Sequence, residues 1–250
     1  MQKINVSVVS YSNSIPFVYG LLNSEVINDI NLSLDIPAVC ADKVLSGTAD
    51  VGLMPIVETL RLPEFNIASD LCIGAVDKVR TVILASDVPV EDLSEIYLDY
   101  QSRTSVVLVR VLAKFFWKIT PQWIPAGQGF ETQAISGNSG AVIIGDRAFE
   151  AKSKYCYDLA QEWIKFTGLP FVFAAWIANK ELGEEFKVRF NEALGFGIQN
   201  LEASAKLFYE THQTEADILD YLKHNISYPL DEPKRQAMEL FLKYAREIIG

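Results

Sequence analysis

Apolar and polar positions alternate through Ile4-Asn5-Val6-Ser7-Val8-Val9, a period of two that predicts a strand over Ile4–Ser10. Pro16–Leu22 predicts a short helix with Pro in its first turn, and Leu32–Ile36 a strand. Ala41–Ser46 reads as a helix stopped by Gly47, followed by a strand over Asp50–Met54. Pro55 opens a helix through Leu60, and Val79–Ala85 is a strand rich in β-branched residues. This β-α-β-α-β order predicts an open, mainly parallel sheet with helices on its faces.

A second α/β unit follows. Ile96–Leu98, Gln122–Ile124 and Ala141–Ile144 predict strands, and Thr104–Trp117 and Asp146–Ala151 helices. Asp158–Phe166 is an amphipathic helix ended by Gly168, and Phe171–Ile177 the last strand. From Glu181 the pattern is helical, with Pro233 opening a final helix that repeats apolar residues at Ala237, Leu240, Phe241, Tyr244 and Ile248. No flexible linker separates the two units. The chain is therefore expected to form two α/β lobes joined by crossing strands near 79–85 and 171–177. One lobe would comprise 1–84 plus 175–250 and the other 85–174, with a ligand cleft between them.

Composition narrows the classes of function. Half of the 250 residues are hydrophobic and the formal net charge is -10. That supports a sizeable core and, with no Lys/Arg cluster evident, argues against nucleic acid as a partner. No apolar run is long enough to span a membrane, and the N-terminus lacks signal-peptide features, so a cytoplasmic location is expected. Cys40, Cys72 and Cys156 are widely spaced, without a Cys-x-x-Cys pair, and read as buried free thiols. His212 and His224 have no metal-ligand spacing, so no metal is expected. Monomer and homodimer remain equally open.

Four polar stretches sit where open α/β sheets bind ligands, beyond strand ends and at helix starts. Ser10-Tyr11-Ser12-Asn13-Ser14 leads into the Pro16 helix, and capping needs only one of these side chains. Ser102-Arg103-Thr104-Ser105 opens the Thr104 helix with hydroxyls and a guanidinium, a set suited to a carboxylate or phosphate. It also begins a run with four bases, Arg103, Arg110, Lys114 and Lys118, and no acid before Phe130; the last three have the spacing of an exposed helix face. Gly145-Asp146 ends a buried strand, where Gly permits close approach and Asp146 serves at least as an N-cap. Arg80-Thr81 lies on the outbound crossing, with the two side chains on opposite faces. Of the aromatic cluster Trp163, Phe166, Phe171, Phe173 and Trp176, most is core and one ring is a candidate for the cleft. No dinucleotide or nucleoside-triphosphate loop is present, and no Ser-His-Asp or Cys-His set can be assembled.

In this order the stretches SYSNSIPF, PAVCADKVLSGTADVGLMP, VRTVILAS, SRTS, IGDRA and TGLPFVFAAW are familiar. The chain resembles the chorismate dehydratases of the futalosine route to menaquinone. Ser12 departs from that pattern, where Leu is expected, as does Asp77-Lys78, where Gly-Pro is expected. The resemblance implies a type II periplasmic-binding-protein fold used as a cofactor-free hydro-lyase. The implied reaction removes water from chorismate, a dianion, to give 3-[(1-carboxyvinyl)oxy]benzoate.

Loss of the C3 proton and the C4 hydroxyl aromatises the ring, so the enzyme must hold two carboxylates and stabilise developing charge. Neutral donors do this without placing a protein carboxylate beside a dianion. Asn13 and Thr81 are the expected catalytic residues. Tyr11, Ser12, Ser14, Arg80, Ser102, Arg103, Thr104, Ser105, Gly145 and Asp146 are the expected binding residues. The proton acceptor is expected to be the substrate's own enolpyruvyl carboxylate; Asp146 would need a raised pKa for that role. Two other readings stand beside this one. The sister enzyme 1,4-dihydroxy-6-naphthoate synthase shares the fold, but we associate it with a second-lobe histidine absent here. A non-catalytic small-anion binding protein would bind without turnover.

Overall fold

The computed structural model describes residues 3–130, 135–214 and 216–250. Two sheets organise it. The first runs β11-β4-β10-β3-β1-β2, from Ser227–Pro229 through Asn66–Ala75, Phe171–Ala178, Val51–Pro55 and Ile4–Val9 to Ile30–Asp35. The second runs β7-β6-β8-β5-β9, from Gln122–Pro125 through Glu95–Leu98, Ser139–Ile144 and Val82–Ser86 to Tyr155–Asp158.

Both sheets are mixed, not mainly parallel. β1 is parallel to β2 and β3, with Val6 opposite Leu32 and Val51, but β10 is antiparallel to β3 and β4. β6 is parallel to β7 and β8, while β5 is antiparallel to β8 and β9. The antiparallel strands are those by which the chain enters one sheet from the other. β10 is buried along all eight residues, as its unbroken apolar run requires.

The crossings differ from those expected. β10 lies wholly in the first sheet and β5 wholly in the second, so the chain passes between sheets through 76–81 and 159–170. The displacement follows from β4, whose apolar run is interrupted by Ser69 and Asp70 and gives no clean strand signal. Short β9 and β11 are equally silent. Val79–Arg80–Thr81 is not strand; Arg80 has φ +64, which breaks the run before Val82. Asp158 ties the two passages together. Its carboxylate accepts the Arg80 N–H at 2.7 Å and caps α4 (Leu159–Thr167) through the Ala160 and Gln161 N–H groups.

Most helix ends follow their local signals. α1 (Ile15–Leu22) and α2 (Pro37–Leu45) carry Pro in the first turn, and α4 stops at Gly168 with φ 74. The predicted helices at Pro55–Leu60 and Asp146–Ala151 are 3-10 segments, Ile56–Arg61 and Gly145–Glu150. α3 (Thr104–Val111) continues into a π-helical turn over Leu112–Trp117. The C-terminal segment supplies α5 (Glu184–Gln199), α6 (Leu201–Thr211), α7 (Ile218–His224) and α8 (Glu232–Ile249). α1 and α5 touch backbone to backbone, because a Cβ at Gly197 would stand 1.7 Å from Pro16 O.

Cys40 and Cys72 are buried and burial pushes both thiols up to about 12, whereas Cys156 is exposed on edge strand β9, contrary to expectation. Among the described residues no helix is long and apolar enough to cross a membrane.

Candidate functional site

A cavity opens between the two sheets, lined from both, the kind of cleft in which two-lobed folds bind small molecules. Its apolar walls come from β1, β3, β5, β8 and β10, contributed by Val9, Leu53, Pro55, Val82, Ile144 and Phe173. Its polar groups come from three loops.

The first loop follows β1. Ser12–Ser14 form a single 3-10 turn, so successive side chains point about 120° apart. Tyr11 and Asn13 line the cavity. The Asn13 Oδ1 atom is buried and among the described residues no group donates to it, while the Asn13 main-chain oxygen accepts from Tyr228 Oη at 3.3 Å. Ser12 and Ser14 turn away. Ser14 Oγ donates to the Val9 and Tyr11 carbonyl oxygens and serves the turn itself. Ser12 reaches Asp146, across from the other sheet: its Oγ donates to Oδ1, and its N–H lies 3.2 Å from Oδ2.

Asp146 is therefore neither an N-cap nor a wall of the cavity. Residue Ile144 occupies the cap position of its 3-10 segment, and Asp146 links that segment to Ser12. Burial raises its carboxyl above the ordinary range, while the two bonds from Ser12 oppose the rise.

The second loop opens α3, and all four of Ser102, Arg103, Thr104 and Ser105 line the cavity. Ser102 Oγ accepts the Ser105 N–H at 3.2 Å, and Thr104 Oγ1 donates to Phe173 O at 3.0 Å, tying α3 to β10. Arg103 carries the one formal charge among the lining residues. Its Nε is buried without an acceptor, since Glu58 Oε1 stands 3.7 Å away, and Glu58 is already engaged by Arg61 at 2.7 Å.

The third loop joins Thr81 and Gly145. Gly145 N donates to Thr81 O at 2.9 Å. Gly145 has φ +66, and a Cβ there would meet the Tyr11 ring at 2.9 Å, so glycine lets the two lobes close on each other. Tyr11 Oη donates to Gln101 Oε1, and burial holds its phenol protonated. Nearby, Asp99 receives the Arg147 guanidinium at 2.6 Å, yet burial still raises its carboxyl. Thr81 is buried with its Oγ1 2.6 Å from Tyr221 Oη.

Arg80 was expected at the substrate and is not there. Its positive φ turns the side chain outward, where it meets Asp220 at 3.2 Å and covers the Phe149 ring at 5.6 Å. Of the twelve residues singled out from sequence, the cavity thus gathers Tyr11, Asn13, Thr81, Ser102, Arg103, Thr104, Ser105 and Gly145; Ser12, Ser14, Arg80 and Asp146 lie outside its lining. Phe173 is the ring of the aromatic cluster that lines the cavity; sequence reasoning missed the aliphatic walls and Tyr221. The walls read as core because they belong to buried strands. Tyr221 gave no signal, being an ordinary apolar-face position of α7.

Chemically the site offers neutral hydroxyls, an amide and one cation, and among the described residues no carboxylate lines it. Such a set suits an anionic ligand.

Comparison with known proteins agrees with this geometry. A family model described as menaquinone biosynthesis matches residues 4–247. A chorismate dehydratase of Thermus thermophilus is 25% identical over 232 residues, covering 82% of this chain and 83% of that protein. Among solved structures, a protein of Archaeoglobus fulgidus superposes with TM-score 0.78 at 13% identity, covering 98% of this chain and 97% of that one. The periplasmic aliphatic sulphonate binding protein of Escherichia coli gives 0.60 at 14% identity, covering 100% and 92%. A Candida albicans protein with the generic periplasmic binding protein fold gives 0.61 at 11% identity, covering 100% and 92%. The fold is therefore periplasmic-binding-protein-like, two α/β lobes with the cavity between them.

Proposed function

The chain belongs to the menaquinone-biosynthesis family, and on that premise we propose that it is a hydro-lyase that converts chorismate to 3-[(1-carboxyvinyl)oxy]benzoate and water. The observation that carries this reading is the cavity lining, which among the described residues offers neutral donors, one guanidinium and no acid. A dianion bound there meets no like charge from those lining residues. Arg103 and the hydroxyls at the start of α3 receive one carboxylate, aided by the free N–H groups of that helix end. Asn13, buried and uncommitted at Oδ1, orients the ring and its hydroxyl.

The step balances within the substrate. The C3–H bond breaks and its proton passes to the enolpyruvyl carboxylate. The C3 electron pair forms the new ring π bond as the C4–O bond breaks, and hydroxide leaves with the C4–O bonding pair. Proton and hydroxide make the water lost. Thr81, backed by Tyr221, stabilises the charge that develops on the ring. Asp146 is not the base in this mechanism, because Ser12 occupies it on the far side of the turn. A cytoplasmic site of action fits a biosynthetic enzyme.

The test is direct. Purified protein is incubated with chorismate, without added metal or cofactor, and products are followed by chromatography and mass. Product at chorismate mass minus water, formed faster than without protein, is the expected result. Bound but unchanged chorismate would replace this reading with that of a non-catalytic anion binder.

A further inference from the structure

Beyond the cavity, the far end of α3 carries an electrostatic anomaly. Arg110, Lys114 and Lys118 recur every four residues and line a groove with Ala113, Ile119, Pro121, Trp123 and Ile248. The groove shares no lining residue with the cavity. Among the described residues, no carboxylate stands within 4.0 Å of these three bases, although the chain as a whole is acidic. Glu247 lies in the same groove but pairs with none of them; only its main-chain oxygen meets Lys114 Nζ, at 3.4 Å.

Arg110 is the anomalous member. Its guanidinium lies 5.5 Å over the Trp123 ring, and its Nε is buried with no acceptor. Partial burial lowers its pKa. A guanidinium that loses hydration without gaining a counter-ion weakens the native state. Helix C-terminal carbonyls nearby supply only about half a charge per helix, too little to offset three cations.

We propose that this groove binds a small organic anion, a carboxylate on an apolar or aromatic body. The carboxylate would pair with Arg110, flanked by Lys114 and Lys118, and the body would lie on Trp123, Ile119, Pro121 and Ile248. Apolar walls favour such an anion over free phosphate, which has nothing to bury there.

The test uses the full chain and sodium benzoate as probe, with sodium phosphate and sodium chloride at matched ionic strength. The Trp123 indole N–H signal, assigned with Trp123→Phe, is followed by NMR. A saturable shift with benzoate is expected, kept in the cavity variant Asn13→Ala and weakened about tenfold or more in Arg110→Met. Benzoate should raise the unfolding temperature of the wild type, and Arg110→Met should unfold at a higher temperature than wild type when no anion is added. No saturable shift, a shift unchanged in Arg110→Met, or phosphate acting as strongly as benzoate would overturn the proposal. So would an Arg110→Met chain that is less stable without anion. None of these readouts depends on turnover, so they stand apart from the activity proposed for the cavity.

Discussion

Ser10–Ser14 and Ser102–Ser105 both follow a strand, both lead into a helix, and both are built largely of hydroxyls. In the second stretch all four side chains reach the cavity. In the first only Tyr11 and Asn13 do, because a 3-10 turn spreads Ser12, Asn13 and Ser14 around its axis. One hydroxyl then closes the turn and another reaches the opposite lobe. The same residue types thus line the cavity together in one stretch, where Thr104 also ties α3 to β10, and divide between cavity and lobe-to-lobe contact in the other. Residue type sets what a side chain can do, and the local backbone decides which group it meets.

The largest predicted effect separates the donor role from the tie role. Asn13→Ala should lower kcat for chorismate about 10²- to 10³-fold, the scale of losing one positioned polar group at developing charge. Steady-state kinetics measure this; an unchanged kcat would remove Asn13 from the machinery. Gly145→Ala comes next. Its φ +66 and the 2.9 Å approach to Tyr11 predict a loss of about 1–3 kcal/mol in denaturant unfolding.

Ser12→Ala tests the tie, because it strips the hydroxyl donor from the buried Asp146 and should cost about 1–2 kcal/mol. Asp146→Asn sharpens the same comparison through pH. A raised carboxyl pKa means that the native state holds its proton more tightly than the unfolded chain does. That contribution is full below the ordinary carboxylate pKa of about 4 and is lost as pH rises through the raised value. Wild-type stability should therefore fall more than that of Asp146→Asn as pH rises from about 4; equal slopes would show an unshifted carboxyl. The smallest effect belongs to Arg80→Ala. Its pairing with Asp220 is half-exposed, so stability should change by less than about 1 kcal/mol and kcat by little. A large fall in kcat would return Arg80 to the substrate.

Much of the fold was legible from sequence. β1, β3 and β10 announce themselves by alternation or unbroken apolar runs, and Pro16, Asp158 and Gly168 mark helix ends by chemistry that acts within one turn. β4 was hidden because Ser69 and Asp70 find partners elsewhere, Ser69 in Asn191 and Asp70 in Arg235. Those contacts span more than a hundred positions, so no window along the chain reveals them. The candidate site divides in the same way. Tyr11, Asn13 and Ser102–Ser105 were visible as polar residues at strand ends, whereas Leu53 and Ile144 were indistinguishable from core.

What the sequence alone determined was the element inventory, the two-lobed class and the chemical character of the cavity, because propensity, periodicity and caps are set by neighbours in the chain. What only tertiary structure decided was the path between lobes, the engagement of Asp146 by Ser12 from 134 positions away, the outward turn of Arg80, and the unpaired state of Arg110. Each of these depends on which distant groups are brought together and which lose water when the lobes and helices pack. Burial and pairing of that kind come into being with the fold.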